Sequence, residues 1–169
     1  SKKPCKAMFF KYKELLESGD EVEAQRYILN GVRLDTSASL RDKSVEMLGD
    51  LTLDNGVNQR LVVNVREGLD TAWEEWDLTP EWKTVAEKYC RNVKIVVSGG
   101  FNVERIKKFE KQGVPVEYYA VGSAFFDNYE LTKMDFTADV VRVKINGSWV
   151  DMAKVGRKAC ENPEMERVW

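Results

Sequence analysis

The chain has 169 residues and a mass of 19.4 kDa, enough for one domain or part of a larger one. It is 43% hydrophobic and 32% charged, a soluble globular composition, and its 26 basic and 28 acidic residues leave a net charge of −2. Bulk charge therefore gives no reason to expect nucleic-acid binding, and no apolar run approaches the roughly 20 residues that span a bilayer. The opening Ser-Lys-Lys-Pro leads into no signal-peptide core, so the cytoplasm is the expected compartment.

There is no histidine. That removes histidine acid–base catalysis, Ser-His and Cys-His nucleophile systems, and the commonest metal ligand. Cys5, Cys90 and Cys160 are far apart and lack CxxC spacing, so reduced thiols are expected rather than a disulfide framework or a zinc site.

In chain order, helical spacing of Ala7, Met8, Tyr12, Leu15 and Leu16 predicts a first helix, which Gly19 and Asp20 end. Gly31-Val32-Arg33-Leu34-Asp35 alternates after a turn at Asn30-Gly31 and predicts a strand. Asn58 is placed to cap a helix with Leu61, Val62, Val65 and Leu69 on one face, reaching about Trp73. Thr79-Pro80-Glu81 starts another, running to about Tyr89. The tryptophans Trp73, Trp76 and Trp82 read as packing between these helices.

Val93 to Val97 is nearly all β-branched and predicts the clearest strand. Ser98-Gly99-Gly100 follows, then a helix capped by Asn102 with Val103, Ile106 and Phe109 on one side, stopped by Gly113 and Pro115. Tyr118 to Val121 is a further short strand, giving a strand–helix–strand unit with parallel pairing. From Phe136 the pattern changes. Residues to Ile145 alternate, Asn146-Gly147 is a two-residue hairpin signal, and Ser148 to Val155 returns. Lys158 to Trp169 reads as a surface tail.

A strand, a glycine pair and a helix start together outline a phosphate site, because glycine lets backbone N–H groups approach an anion. Ser98-Gly99-Gly100 fits that pattern, and Gly122-Ser123 supplies a second loop on the same sheet edge. A glycine pair after a strand is also an ordinary tight turn. Arg33 and Asp35 project on the same side of their strand, either as a structural ion pair or to grip an anionic ring and a sugar hydroxyl; Thr36, Ser37 and Ser39 add hydroxyls. Asp135 and Asp139 read as solvated or structural.

Five blocks, GVRLDTS at 31–37, VKIVVSGGFN at 93–102, VPVEYYAVGS at 114–123, DFTADVV at 135–141 and MAKVGR at 152–157, occur in an order and spacing that resembles nicotinate phosphoribosyltransferase. The resemblance covers nearly everything after residue 30 and corresponds to the C-terminal half of the family's chains. It implies an α/β fold, part of an incomplete parallel barrel of the type II phosphoribosyltransferase kind, with an antiparallel hairpin toward the C-terminus. The expected division is a helical segment at 1–30, the barrel half at 31–130, and a hairpin and tail of a second domain at 131–169. The implied reaction forms nicotinate mononucleotide and pyrophosphate from nicotinate and phosphoribosyl pyrophosphate, with Mg²⁺ and ATP hydrolysis, in NAD salvage.

By matching motifs, the resemblance implies that Arg33 contacts the nicotinate end and Asp35 the ribose hydroxyls, with Ser37 a further substrate-binding residue. Ser98, Gly99, Gly100, Gly122 and Ser123 would hold the 5′-phosphate. No catalytic residue and no protein metal ligand is assigned here: the family's phosphate-accepting histidine would lie in the upstream half. The implied partners are that N-terminal half and a second copy of the complete enzyme, with no nucleic acid or membrane. The chain has Ala38 and Ala120 where the family usually has glycine, and a methyl at either place would crowd a close backbone approach. The other readings are a non-catalytic phosphate- or nucleotide-binding regulatory or scaffold subunit, and a nicotinamide or quinolinate phosphoribosyltransferase relative.

Overall fold

The computed structural model describes residues 2–126 and 139–154. The chain divides into two compact units, residues 1–126 and 127–169. In the first unit the order is α1 (Lys2–Glu17), α2 (Glu21–Ala24), β1 (Gly31–Leu34), α3 (Leu51–Asp54), α4 (Gln59–Asp70), α5 (Pro80–Arg91), β2 (Lys94–Val97), α6 (Val103–Lys111), β3 (Tyr118–Tyr119) and α7 (Ser123–Phe126). In the second, β4 (Arg142–Ile145) and β5 (Ser148–Asp151) form an antiparallel hairpin. Its turn places Asn146 and Gly147 at φ 48° and 83°, the left-handed pair that a two-residue hairpin requires. The part of the predicted hairpin strand at 136–138, Asp135 and the predicted tail lie outside the described residues.

Strands β1, β2 and β3 form one parallel sheet in that order. Among the described residues it closes no barrel. Register pairs Leu34 with Val97 and Val97 with Tyr119; the next row pairs Arg33 with Val96 and Val96 with Tyr118. Alternation makes these two rows face opposite ways. Ile95 and Val97 are fully buried on one face, packed with Val57, Val62, Phe101, Phe109 and Val114. The other face carries Arg33 and Tyr118, both exposed.

The helices form for local reasons the sequence carries. Asn58 Oδ1 accepts the Leu61 amide at 2.9 Å, and Asn102 Oδ1 accepts the Arg105 amide at 2.9 Å, so both predicted caps are made. Pro80 opens α5, where its missing N–H costs nothing. Val103 departs from expectation: it is 60% exposed, because only Phe109 of its predicted face is fully buried against the sheet.

A second core lies among α1, α4 and α5. Phe9 is its centre, with ring centroids 5.1 Å from Trp76, 5.2 Å from Tyr89 and 6.3 Å from Trp82. The tryptophans are thus packing residues, as their spacing predicts. Tyr89 also fixes the approach to β1. Its hydroxyl donates to the Tyr27 carbonyl and accepts the Leu29 amide at 2.9 Å, and burial pushes its pKa up to about 12. Replacing Phe9 with Ala empties the centre of this cluster, and the expected loss is about 3–5 kcal/mol of folding stability. Val22→Ala, at an exposed position, is expected to change stability by less than about 0.5 kcal/mol. Chemical denaturation of the two variants measures both.

Candidate functional site at the carboxyl edge of the parallel sheet

All three parallel strands end on one edge, where open α/β sheets bind ligands. The ladder continues one step past β1 and β2: the Ser98 amide donates to Leu34 O at 3.0 Å, and the Ala120 amide to Val97 O at 2.8 Å. Asp35 sits at this edge between two partners. Its Oδ1 lies 2.7 Å from Ser98 Oγ, and its Oδ2 lies 3.2 Å from Arg33 Nη2. Ser98 is 7% exposed, and its hydroxyl is also 3.0 Å from Leu34 O. Ser98 therefore spends its amide on the sheet and directs its hydroxyl at Asp35 and Leu34.

The next two residues differ. Gly99 and Gly100 have φ of +88° and +72°, the left-handed region that disfavours side chains. Among the described residues, neither glycine amide has a hydrogen-bond partner. Their carbonyls are held instead: Arg105 Nη1 donates to Gly99 O at 2.6 Å and Gly100 O at 3.3 Å, while its Nη2 donates to Val57 O at 2.6 Å. The guanidinium also lies 4.1 Å above the Phe101 ring, and burial lowers its pKa. One arginine fixes the turn by its oxygens and leaves its N–H groups unused. Sequence reasoning missed Arg105. The available signal was a cation in the first turn of α6, where the helix dipole favours acids.

Gly122 and Ser123 follow β3 on the same edge and begin α7. Gly122 lies outside the left-handed region, and a Cβ there would meet nothing within 4 Å. Ala38 and Ala120 also lie outside that region, so their methyls impose no backbone strain. Ser37 is in a turn of its own, 3.0 Å from Ser39 Oγ, and its carbonyl accepts the Leu40 amide. Arg33, Asp35, Ser98 and Gly99 are thus brought together directly: Asp35 contacts Arg33 and Ser98, and a Cβ on Gly99 would lie 3.6 Å from Asp35 Oδ1.

Beside this edge is an open cavity of about 730 Å³ walled by Lys2, Lys3, Arg33, Asp35, Thr36 and Asn64, among others. Asp35 is shared between the cavity and the Ser98 contact. The lysines come from the first turn of α1, a contribution the sequence reading left unassigned. Asp42, also on the wall, is held below the usual carboxylate range by the Ser44 amide and hydroxyl. Among the described residues no group of three or more acidic or thiol side chains gathers to cage a metal. No described helix is long and apolar enough to cross a membrane.

Comparison with family models, curated proteins and solved structures finds no match.

The dihedrals separate the glycines by experiment. Gly99→Val and Gly100→Val each force a branched side chain into the left-handed region, and the expected cost is about 1–3 kcal/mol of stability. Gly122→Ala fills open space and is expected to change stability by less than about 0.5 kcal/mol. Urea midpoints of the three variants test this ordering, and equal midpoints would contradict it.

Proposed function

We propose that this chain is the C-terminal portion of a nicotinate phosphoribosyltransferase, its three parallel strands part of the incomplete barrel that the five sequence blocks imply. The observation that carries the reading is the pair of unpartnered amides at Gly99 and Gly100, at the end of a parallel strand and one residue from the Ser98–Asp35 contact. Free N–H groups on a rigid turn suit a phosphate monoester. Gly122 and Ser123 add a second loop on that edge for the same phosphate.

Under this reading the residues divide the substrate among them. The Asp35 carboxylate accepts hydrogen bonds from ribose hydroxyls while Ser98 and Arg33 hold its orientation. Arg33, on the exposed face, meets the nicotinate carboxylate. The reaction is displacement at the anomeric carbon with positive charge developing on the sugar, so the protein contributes chiefly position and electrostatics. Mg²⁺ would be held mainly by substrate phosphates and water, with Asp35 the carboxylate on this edge that could serve it, and would supply positive charge against the departing pyrophosphate. The histidine that the resemblance implies for the ATP-linked step is not among these 169 residues. The N-terminal half of the enzyme would bring it, and the active complex would be cytoplasmic and homodimeric.

The second reading is a phosphate-binding subunit without turnover of its own, which the absence of histidine fits equally well. The two separate in one assay. The pure chain is expected to form no nicotinate mononucleotide from nicotinate, phosphoribosyl pyrophosphate, Mg²⁺ and ATP. Coexpressed with an upstream half-barrel chain, it is expected to turn over. Asp35→Asn in that complex should lower kcat/KM roughly tenfold to a hundredfold, the loss of hydrogen bonds to a charged acceptor. Phosphate binding without turnover in the complex would leave the second reading; turnover by the pure chain would reject the half-enzyme.

A further inference from the structure

The helical core contains a pair of groups that the candidate site does not use. Cys5 lies in the first turn of α1 and Cys90 in the last turn of α5, 85 residues apart in the chain. Both are fully buried, and their sulfurs are 3.7 Å apart. A disulfide needs about 2.05 Å, so bond formation requires an approach of about 1.7 Å between two side chains already in contact. Chance packing of apolar side chains does not need two thiols face to face.

The Arg66 guanidinium lies against the same turn, its Nη2 donating to Cys90 O at 3.0 Å and pairing with Asp70 Oδ1 at 2.8 Å. Either thiol can donate to the other; burial disfavours ionisation of both, and the nearby Arg66 charge favours each thiolate. Either cysteine can be oxidised first, with the other as resolving partner. Pro4, beside Cys5 on the same turn, lines the open cavity, so local opening of that turn admits a small oxidant.

We propose that Cys5 and Cys90 are a modification site: a reversible intramolecular disulfide that ties the first turn of α1 to the end of α5. The oxidant is a hydroperoxide. One thiolate attacks the hydroxyl oxygen of the peroxide; the O–O bond breaks, sulfenic acid forms, and hydroxide, or the alkoxide of an organic hydroperoxide, leaves. The other cysteine's sulfur then attacks the sulfenic sulfur; the S–S bond forms, the S–O bond breaks, and the hydroxyl departs as water with the second thiol's proton. With hydrogen peroxide, two thiols and one peroxide give one disulfide and two waters. Because Lys2 and Lys3 on this turn wall the cavity with Arg33 and Asp35, oxidation pins one side of that cavity. The inference is independent of what the cavity binds.

The test uses the whole chain carrying Cys160→Ser, with the parent chain in parallel should that variant fold poorly. Folded protein is treated with hydrogen peroxide, quenched, and digested without reductant. The expected result is one linked peptide pair containing Cys5 and Cys90, a loss of two hydrogens from the intact mass, and an unfolding midpoint raised by roughly 5–15 °C. Dithiothreitol should reverse all three. Both thiols remaining free for alkylation after unfolding, sulfinic acid without a link, or a link that forms only in denaturant would each overturn the proposal.

Discussion

The Asp35 carboxylate ties two strand ends together just where the backbone ladder between them stops. One oxygen faces the Ser98 hydroxyl and the other faces Arg33, so a residue just beyond β1 is fixed by a residue just beyond β2. The parallel register makes this possible by setting Leu34 beside Val97. Buried Ile95 and Val97 set that register, because a slip of one residue would turn both toward the opposite face. The site's geometry thus descends from the apolar pattern of one strand. Its charges are added at the carboxyl end of the sheet, beside the free amides of the glycine turn.

Arg105 completes the arrangement from the other side. It satisfies the carbonyls of Gly99 and Gly100 and reaches Val57 O, so the glycine turn is fastened both to its own helix and to the segment before α4. The cost of bringing a guanidinium close to Phe101 is offset by three carbonyl partners and the ring face. The exposed amides of the turn are the complement of those satisfied carbonyls. A ligand with several acceptor oxygens and negative charge matches them; an apolar or cationic one does not.

Much of this was legible in the sequence where local physics decides. Asn58, Pro80 and Asn102 mark helix starts because caps act within one turn, and Val93 to Val97 marks a strand because β-branched side chains suit a pleated surface. Asn146-Gly147 marks the hairpin because its dihedrals need those residues. The short α2, α3 and α7 were not legible, since four residues carry too little periodicity. The Ser98 hydroxyl was assigned to phosphate by its place beside the glycines; its contact with Asp35, 63 residues away, is set by tertiary register. Arg105 and the Cys5–Cys90 pair escaped for the same reason: their partners are distant in the chain and near only after folding.

The account rests on the amides of the two loops meeting one phosphate. Titration of the ¹⁵N-labelled chain with ribose 5-phosphate, at constant ionic strength, measures this directly. The account predicts saturable, concerted shifts of the Gly99, Gly100, Gly122 and Ser123 amides, reproduced by inorganic phosphate and absent with ribose. Shifts confined to the Lys2 and Lys3 turn, or no saturable shift at either glycine loop, would contradict it.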